Sequence, residues 1–284
     1  MQCQSPFLVK NKNLDVNNEN LMTPVPCGKC IPCLKRRSSH WSFRILQESK
    51  TAKSSCFITL TYDQVPLSPN GLPTLLKRDY QTFFKRLRKL APHKKGKKRL
   101  KYFACGEYGT KTARPHYHAI VFNLPQNLIN NSDIICNTWN NGHVLVTNSN
   151  LKTINYVVGY INKGGYKKQI DKIHGVYDDR ITEFQLMSKG LGESYLTPSM
   201  VKYYKDRKLF CIVHEDGQIL SMPRYYKNKI FNKQELQELF KEWLEIQTMK
   251  TPDLFDIDGK TKRDLWIDMV DKRDKQLTLN RTKL

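Results

Sequence analysis

The segment Arg114–Phe122, Arg-Pro-His-Tyr-His-Ala-Ile-Val-Phe, has the composition of a β-strand, because aromatic and β-branched residues dominate it and a proline lies near its start. Side chains alternate between the two faces of a strand, so His116 and His118 share one face and Tyr117 points to the other. Two imidazoles side by side on a strand can hold one divalent metal ion. Such a histidine pair also occurs in ordinary strands, and the neighbouring segments decide between the two interpretations.

The preceding segment, Lys101–Gly109, has a second strand pattern and reaches a carboxylate at Glu107. A short loop, residues 110–114, separates the two segments, so a hairpin would return Glu107 to the side of His116 and His118. Two histidines and one glutamate form a three-ligand metal site with open positions for water and a phosphate oxygen. The alternative for Glu107 is a solvated hairpin residue.

A third segment, Asn155–Lys163, carries two tyrosines at helical spacing. Tyr156 and Tyr160 are four residues apart and therefore share a helix face, and Lys163 lies three residues further along that face. The two hydroxyls could then reach one point. The alternative is a core helix that uses its tyrosines for packing.

These segments follow one another in an order that resembles the motif set of the HUH endonucleases, enzymes that start rolling-circle replication. The motifs are the strand Phe57–Asp63, Gly106-Glu107, His116-Tyr117-His118 and Tyr-x-x-x-Tyr-x-x-Lys. Within that superfamily the chain resembles the replication initiators of small single-stranded DNA phages, the Microviridae and especially their gokushovirus-like members. The cysteine-rich start and the segment Pro223–Lys227 also resemble that group, so the likeness covers about residues 1–230.

The resemblance implies an α+β fold, in which helices flank an antiparallel, RRM-like sheet, and a metal-dependent enzyme that nicks and rejoins DNA through a 5′-phosphotyrosine, leaving a 3′-OH primer. Glu107, His116 and His118 would hold Mg²⁺ or Mn²⁺, and Tyr156, Tyr160 and Lys163 would be the catalytic residues. Initiators with two tyrosines usually carry a lysine between them, where this chain has Gly159. Since Lys163 is one helical turn from Tyr160, we expect Tyr160 to cleave first and Tyr156 to serve the joining step.

Three other functions remain open at this stage. An HUH relaxase or a single-tyrosine transposase would use the same chemistry on other DNA ends. A non-catalytic, zinc-containing DNA-binding protein would stack bases on sheet aromatics without forming a covalent adduct. A histidine-based nucleotidyl hydrolase would need no tyrosine.

Four of the eight cysteines lie near the start of the chain: Cys3, Cys27, Cys30 and Cys33. The overlapping Cys-x-x-Cys spacings in Cys27–Cys33 can present thiolates to one tetrahedral structural zinc ion, with Cys3 as the fourth ligand. The alternatives are reduced thiols and an iron–sulfur cluster. The remaining cysteines lie in apolar patterns and are expected to be buried small hydrophobic residues: Cys56, Cys105, Cys136 and Cys211.

Lysine and arginine outnumber aspartate and glutamate by 48 to 26, which gives a formal charge of +22. Such an excess implies a polyanionic partner, and nucleic acid is the usual one. The alternative for each basic run is a solvated surface. The candidate DNA-binding residues are Arg36, Arg37, Lys94, Lys95, Lys97, Lys98, Arg99 and Arg114.

The length of 284 residues, with 39% hydrophobic residues, predicts a globular chain of one or two domains. We divide it into a cysteine-rich segment with a basic helix (1–50), a nuclease core (51–180), and a C-terminal hairpin, helix and charged tail (181–284). Hydrophobic periodicity predicts the helices Leu34–Lys50, Leu75–Leu90, Ser132–Trp139 and Asn232–Thr248, and a tyrosine helix that begins at Asn150 and ends at Gly164-Gly165.

The sequence contains no apolar run that could span a membrane and no signal-peptide core, so we expect a location in the cytoplasm of a bacterial host. The expected partner is origin DNA, single-stranded or supercoiled. Without a P-loop lysine motif the chain would depend on a host helicase and polymerase.

Overall fold

A computed structural model describes residues 3–10, 22–93, 95–96, 98–109, 112–162, 175–213, 217, 219–239 and 242. The chain divides into two compact units. One comprises Met1–Cys33, Tyr204–Phe210 and Arg224–Leu284, and the other comprises Leu34–Tyr203 and Cys211–Pro223. The division into three segments at residues 50 and 180 stays a prediction.

Nine strands lie in the described part of the chain: β1 (Phe7–Lys10), β2 (Met22–Val25), β3 (Ser55–Thr61), β4 (Lys101–Tyr108), β5 (Pro115–Phe122), β6 (Val144–Asn148), β7 (Phe184–Met187), β8 (Cys211–Val213) and β9 (Ile219–Ser221). β3 to β7 form one five-stranded sheet in the order β6-β3-β5-β4-β7, and all its pairs are antiparallel. β1 and β2 form a separate ribbon, as do β8 and β9. The predicted α+β class with an antiparallel sheet is confirmed.

The helices are α1 (Ile31–Thr51), α2 (Lys77–Leu90), α3 (Gln126–Ile129), α4 (Ser132–Trp139), α5 (Leu151–Gly159), α6 (Pro198–Asp206) and α7 (Arg224–Ile230). Short 3₁₀ turns occupy Tyr160–Asn162 and Glu193–Tyr195, and residues 233–239 are also helical. Most of the predicted helix beyond residue 239 lies outside the described residues. No described helix has the length and apolar content needed to cross a bilayer.

The two faces of the large sheet carry different cores. On one face, the aromatic side of α2 packs with Tyr117 of β5 and Trp139 of α4. On the other face, Ile120 and Phe122 of β5 pack with α5 and with Ile45 of α1. The alternation of side chains along β5 thus separates Tyr117 from His116 and His118, and both histidines lie on the α1–α5 face.

Most predicted elements of the sheet unit agree with the structure, with two exceptions. The tyrosine helix was expected to continue to Gly164-Gly165, whereas α5 ends at Gly159 and a 3₁₀ turn follows; residues 164–165 lie outside the described part. The weakly patterned stretch 182–206 contains the edge strand β7 and helix α6.

Charged side chains of α1, which we expected on a basic outer surface, hold the turn that precedes the 3₁₀ segment Glu193–Tyr195. Arg44 is buried and donates from Nε and Nη2 to the Leu191 carbonyl at 3.0 and 2.9 Å. Glu48, also buried, accepts from the Gly192 N–H at 2.7 Å and from Lys101 Nζ at 2.9 Å. This turn is therefore a structural connection between α1 and the sheet.

Candidate active site

The β4–β5 hairpin brings the three predicted metal ligands together. Glu107 lies directly opposite His116 in the strand register, and His118 lies two residues further along β5 on the same face. One potential ligand atom from each of the three residues lies within 4.8 Å of the others. This donor set could hold a metal ion, and two imidazoles with a carboxylate suit a divalent transition metal.

Both histidines point their Nε2 atoms at one oxygen of Glu107. The distance to Glu107 Oε1 is 2.5 Å from His116 Nε2 and 3.0 Å from His118 Nε2. Burial raises the pKa of Glu107, but hydrogen bonds and charge from the two histidines outweigh it and lower the value to about 2. The carboxylate is therefore ionised at neutral pH, as a metal ligand must be.

The second nitrogen of each imidazole is also bonded. His116 Nδ1 lies 3.0 Å from the backbone carbonyl of Arg114, and His118 Nδ1 lies 3.0 Å from the hydroxyl of Thr59. Thr59 belongs to β3 and is the register partner of His118. Partners of this kind orient histidines for metal binding by holding the nitrogen that does not face the metal.

The two tyrosines lie against His118. The Tyr156 ring is 5.2 Å from the His118 ring, and its hydroxyl is 3.5 Å from His118 Nε2. The Tyr160 ring lies nearly parallel to His118 at 5.9 Å, and the two tyrosine rings are 5.0 Å apart. The tyrosines thus border the metal-ligand group, although only Tyr156 belongs to the α-helix itself.

The two phenols differ in exposure. Tyr156 is 49% exposed, whereas Tyr160 is 9% exposed. Burial raises the pKa of Tyr160 well above its usual range, and the hydrogen bond with Tyr156 and the nearby charge of Glu107 raise it further. Forming a phenolate at Tyr160 is therefore costly in this state of the protein.

The position of the tyrosines follows from the ends of α5. Asn150 caps its N-terminus in a reciprocal pair with Thr153, and Gly159 is its last residue. A Cβ atom added at Gly159 would meet nothing within 4 Å. The space in which a lysine between the tyrosines would begin is thus open.

The candidate DNA-binding residues are distributed over several elements. Arg37, Lys95, Lys98, Arg99 and Arg114 are exposed, and Arg36 is half-buried. Arg37 donates to Gln185 of β7 at 3.4 Å, Lys98 donates to the Thr51 carbonyl, and Arg114 donates to the Tyr62 carbonyl. Lys94, Lys97 and the candidate catalytic Lys163 lie outside the described residues.

The four N-terminal cysteines form a second group that could hold a metal ion, since their sulfurs also lie within 4.8 Å of one another. Cys27 Sγ accepts the backbone N–H groups of Lys29 and Cys30 at 3.4 and 3.3 Å, and these bonds lower its pKa to about 6. Cys3 Sγ lies 3.7 Å from Cys30 Sγ and accepts the Cys27 N–H at 3.2 Å. Burial raises the pKa of Cys33 to about 12.

Among the other cysteines the expectation of burial is met in part. Cys56 and Cys105 are buried in the sheet, whereas Cys136 and Cys211 are half-buried. The residue that sequence reasoning missed at the site is Thr59. Its signal was a polar side chain on the histidine-bearing face of the sheet, but its contact with His118 depends on the register between β3 and β5.

Comparison with known proteins gives independent evidence on family. Residues 55–165 match the family model of the replication-associated protein ORF2. The chain is 29% identical to Replication-associated protein ORF2 of Spiroplasma virus 4 over 235 residues, which cover 78% of this chain and 70% of that protein. No solved structure matches the chain significantly.

Two further relatives are replication-associated proteins of other phages. VP4 of Bdellovibrio phage phiMH2K is 31% identical over 153 residues, 49% of this chain and 48% of that protein. ORF4 of Chlamydia phage 1 is 28% identical over 222 residues, 72% of this chain and 53% of that protein. The matched parts thus span about half the length of these two proteins.

The segment matched by the family model contains the hairpin with Glu107, His116 and His118 and the helix that carries Tyr156, with Tyr160 directly after it. The resemblance to initiators of the Microviridae is confirmed, and the chain belongs to the ORF2 family of replication-associated proteins.

Proposed function

We propose that the chain is a rolling-circle replication initiator that nicks and rejoins origin DNA through a tyrosine. The observation that carries this proposal is the arrangement around His118. Its Nε2 belongs to the Glu107–His116–His118 group, while the ring of Tyr156 lies 5.2 Å and that of Tyr160 lies 5.9 Å from its own ring. A metal-binding group for a phosphate and two nucleophiles thus occupy one place.

The ligand group fits Mg²⁺ or Mn²⁺, and its two imidazoles favour Mn²⁺. When bound, such an ion polarises the scissile phosphate and stabilises the charge of the in-line transition state. Glu107 is buried and remains ionised, so it fixes one side of the site. His116 and His118 keep their Nε2 atoms aimed at the same point, which limits the reorganisation needed when DNA binds.

In the cleavage step, a tyrosine oxygen attacks the phosphorus as its phenol loses a proton. The new bond from the phenolic oxygen to phosphorus forms while the bond to the 3′-oxygen breaks, and that oxygen takes up a proton to become the 3′-OH primer. The phosphodiester energy is kept in the 5′-phosphotyrosine. A second transesterification can therefore reseal a strand without ATP.

The environment of the tyrosines supports Tyr156 as the first nucleophile and Tyr160 as the one that serves joining. Tyr156 is half-exposed and its hydroxyl lies 3.5 Å from His118 Nε2, whereas Tyr160 is buried and its phenolate is disfavoured. This assignment reverses the one drawn from Lys163, which relied on one continuous helix beyond Tyr160. α5 ends at Gly159, so helical spacing does not place Lys163.

We further propose that the exposed basic residues bind the DNA backbone. With a formal charge of +22, phosphate contacts would supply most of the affinity, and the residues around the metal-ligand group would select the phosphate to be cut. The origin would be single-stranded or supercoiled, in the cytoplasm of a bacterial host, where a host helicase and polymerase extend the 3′-OH.

We assign structural zinc to the group Cys3, Cys27, Cys30 and Cys33. Four sulfurs within 4.8 Å suit tetrahedral coordination, and backbone N–H groups directed at the sulfur of Cys27 stabilise a thiolate. A second candidate function uses this feature alone: a zinc-containing DNA-binding protein without catalysis. It differs from the initiator in forming no covalent adduct.

The function is tested by separating binding from cleavage. The double variant His116→Ala, His118→Ala should lose nicking of labelled origin DNA in the presence of Mn²⁺, because the metal ligands are gone. It should keep most of its DNA affinity, because it keeps the excess of basic residues. A double variant that nicks at the wild-type rate would refute the metal role, and a wild-type protein that binds origin DNA without cutting it would favour the non-catalytic function.

A further inference from the structure

The orientation of His118 depends on more than its neighbours in the hydrophobic core. Its ring is nearly parallel to Phe57, at 5.4 Å and 13°, and to Tyr160, at 5.9 Å and 15°. Contacts of this kind fix the plane of the imidazole. They do not distinguish one edge from the other, since a flat ring rotated by half a turn about its χ2 bond occupies nearly the same space.

Thr59 distinguishes the two edges. Its hydroxyl lies 3.0 Å from His118 Nδ1, from the neighbouring strand β3, at the position opposite His118. In the flipped ring a carbon atom would face this hydroxyl and Nε2 would leave Glu107. The bond therefore favours the orientation in which Nε2 belongs to the ligand group.

The equivalent contact of His116 is of another kind. His116 Nδ1 lies 3.0 Å from the main-chain carbonyl of Arg114, an acceptor that no side-chain substitution removes. For His118 the partner is a side chain. A hydroxyl can accept the Nδ1–H, which leaves the lone pair of Nε2 for the metal ion.

We propose that Thr59 is a positioning residue that sets the ring orientation and the tautomer of His118 for metal binding. This inference rests on the proposed metal role of Glu107, His116 and His118. Thr59 itself touches neither the metal ion nor DNA in this account, and it acts through the imidazole. Loss of such an outer partner typically weakens metal binding about 10- to 100-fold.

The test compares Thr59→Val with Thr59→Ser and with a matched control. Valine keeps the shape of threonine without the hydroxyl, and serine keeps the hydroxyl. Thr61→Val is the control, because Thr61 lies on the same strand and face but donates to the carbonyl of His143 at 3.3 Å. The measured quantity is the dissociation constant for Mn²⁺ alone, obtained by titration without DNA.

We expect Thr59→Val to weaken Mn²⁺ binding about 10- to 100-fold, and Thr59→Ser and Thr61→Val to stay within a few-fold of the wild type. Equal affinity of Thr59→Val and the wild type would overturn the inference while leaving the proposed function intact. If the wild type bound no Mn²⁺, the proposed function and the inference would both fall. An equal loss in Thr61→Val would also overturn it, since it would indicate general damage to β3.

A measurement on the wild-type protein covers the case in which Thr59→Val does not fold. The ¹⁵N chemical shifts of the His118 imidazole, recorded with Mg²⁺ bound, report which nitrogen carries the proton. The inference requires a proton on Nδ1. A proton on Nε2 would contradict it.

Discussion

Tyr156 and Tyr160 lie beside the same histidine in unlike surroundings. Tyr156 is half-exposed at the site, whereas Tyr160 stacks its ring on His118 and is buried. A nucleophile must reach the phosphorus in line with the leaving oxygen and must lose its proton. Both requirements favour Tyr156 for the first step, and Tyr160 would need a rearrangement around it before it could act in the second.

Single substitutions of the tyrosines should separate the two steps. Tyr156→Phe should lose most covalent adduct, at least about 100-fold in the single-turnover rate on an origin oligonucleotide, because the first nucleophile is absent. Tyr160→Phe should keep that adduct but release fewer closed circles from a circular template. The opposite pattern would restore the assignment drawn from the spacing of Lys163.

Gly159→Lys offers a related gain-of-function variant. The space around Gly159 is open, and a lysine there would restore Tyr-x-x-Lys for Tyr156. A nearby ammonium group favours the phenolate, so adduct formation should become faster at neutral pH. Gly159→Met, of similar length but uncharged, is the matched control, and equal rates in the two variants would exclude an electrostatic effect.

At the scale of elements, the core beneath the sheet is an aromatic cluster in which the hydroxyl groups have unequal fates. The hydroxyl of Tyr117, between the two histidines in sequence, accepts the Leu76 N–H at 2.9 Å and lies 2.7 Å from the Tyr62 hydroxyl. Tyr80 of α2 is fully buried, and its hydroxyl bonds to no described residue. A buried polar group without a partner costs about 1–3 kcal/mol.

This contrast gives a matched pair of stability variants. Tyr80→Phe should raise the free energy of unfolding by about 1 kcal/mol, because it removes the unsatisfied hydroxyl and keeps the ring. Tyr117→Phe should lower it by about 1–3 kcal/mol, because it leaves bonded partners unsatisfied. Chemical denaturation of the two variants measures both, and a destabilised Tyr80→Phe would mean that its hydroxyl has a partner after all.

The elements around the site could be predicted from sequence because their patterns are local. Alternation in β5, the aromatic face of α2 and the asparagine cap of α5 each mark an element within about ten residues. β7 escaped prediction because Phe184–Met187 is short, half-buried throughout and without alternation. It is defined by pairing with β4, a contact between segments far apart in the chain.

The same limit explains the site. Hairpin geometry places Glu107 beside His116, since the two strands are adjacent in sequence. Thr59 is 59 positions from His118, and Arg44 bonds the carbonyl of a residue 147 positions away. Such contacts depend on the register of the whole sheet and on the packing of α1, which no short pattern encodes.

At the scale of the whole molecule, the two compact units carry the two candidate metal sites separately. The cysteine group belongs to the unit that begins with Met1–Cys33, and the ligands Glu107, His116 and His118 belong to the other. The metals would have different roles: one would supply folding energy to a small unit, and the other would act on a phosphate. Each should therefore be removable without direct loss of the other.

Elemental analysis tests the structural zinc. The purified protein should contain about one zinc per chain, Cys27→Ser should lose it, and Cys136→Ser, at a half-buried cysteine outside the group, should retain it. Removal of zinc should increase amide hydrogen exchange in β1, β2 and the start of α1 more than in the five-stranded sheet. Freshly prepared, unchelated protein without bound zinc or iron would reject the site.

The central claim is that DNA is transferred to a tyrosine beside the Glu107–His116–His118 group. The most direct measurement incubates the protein with labelled single-stranded origin DNA and Mn²⁺, isolates the covalent adduct under denaturing conditions, and maps the modified peptide by mass spectrometry. The account predicts DNA on the peptide that contains α5, attached mainly at Tyr156. Attachment at a tyrosine remote from this site, or cleavage of the origin without any protein–DNA adduct, would contradict it.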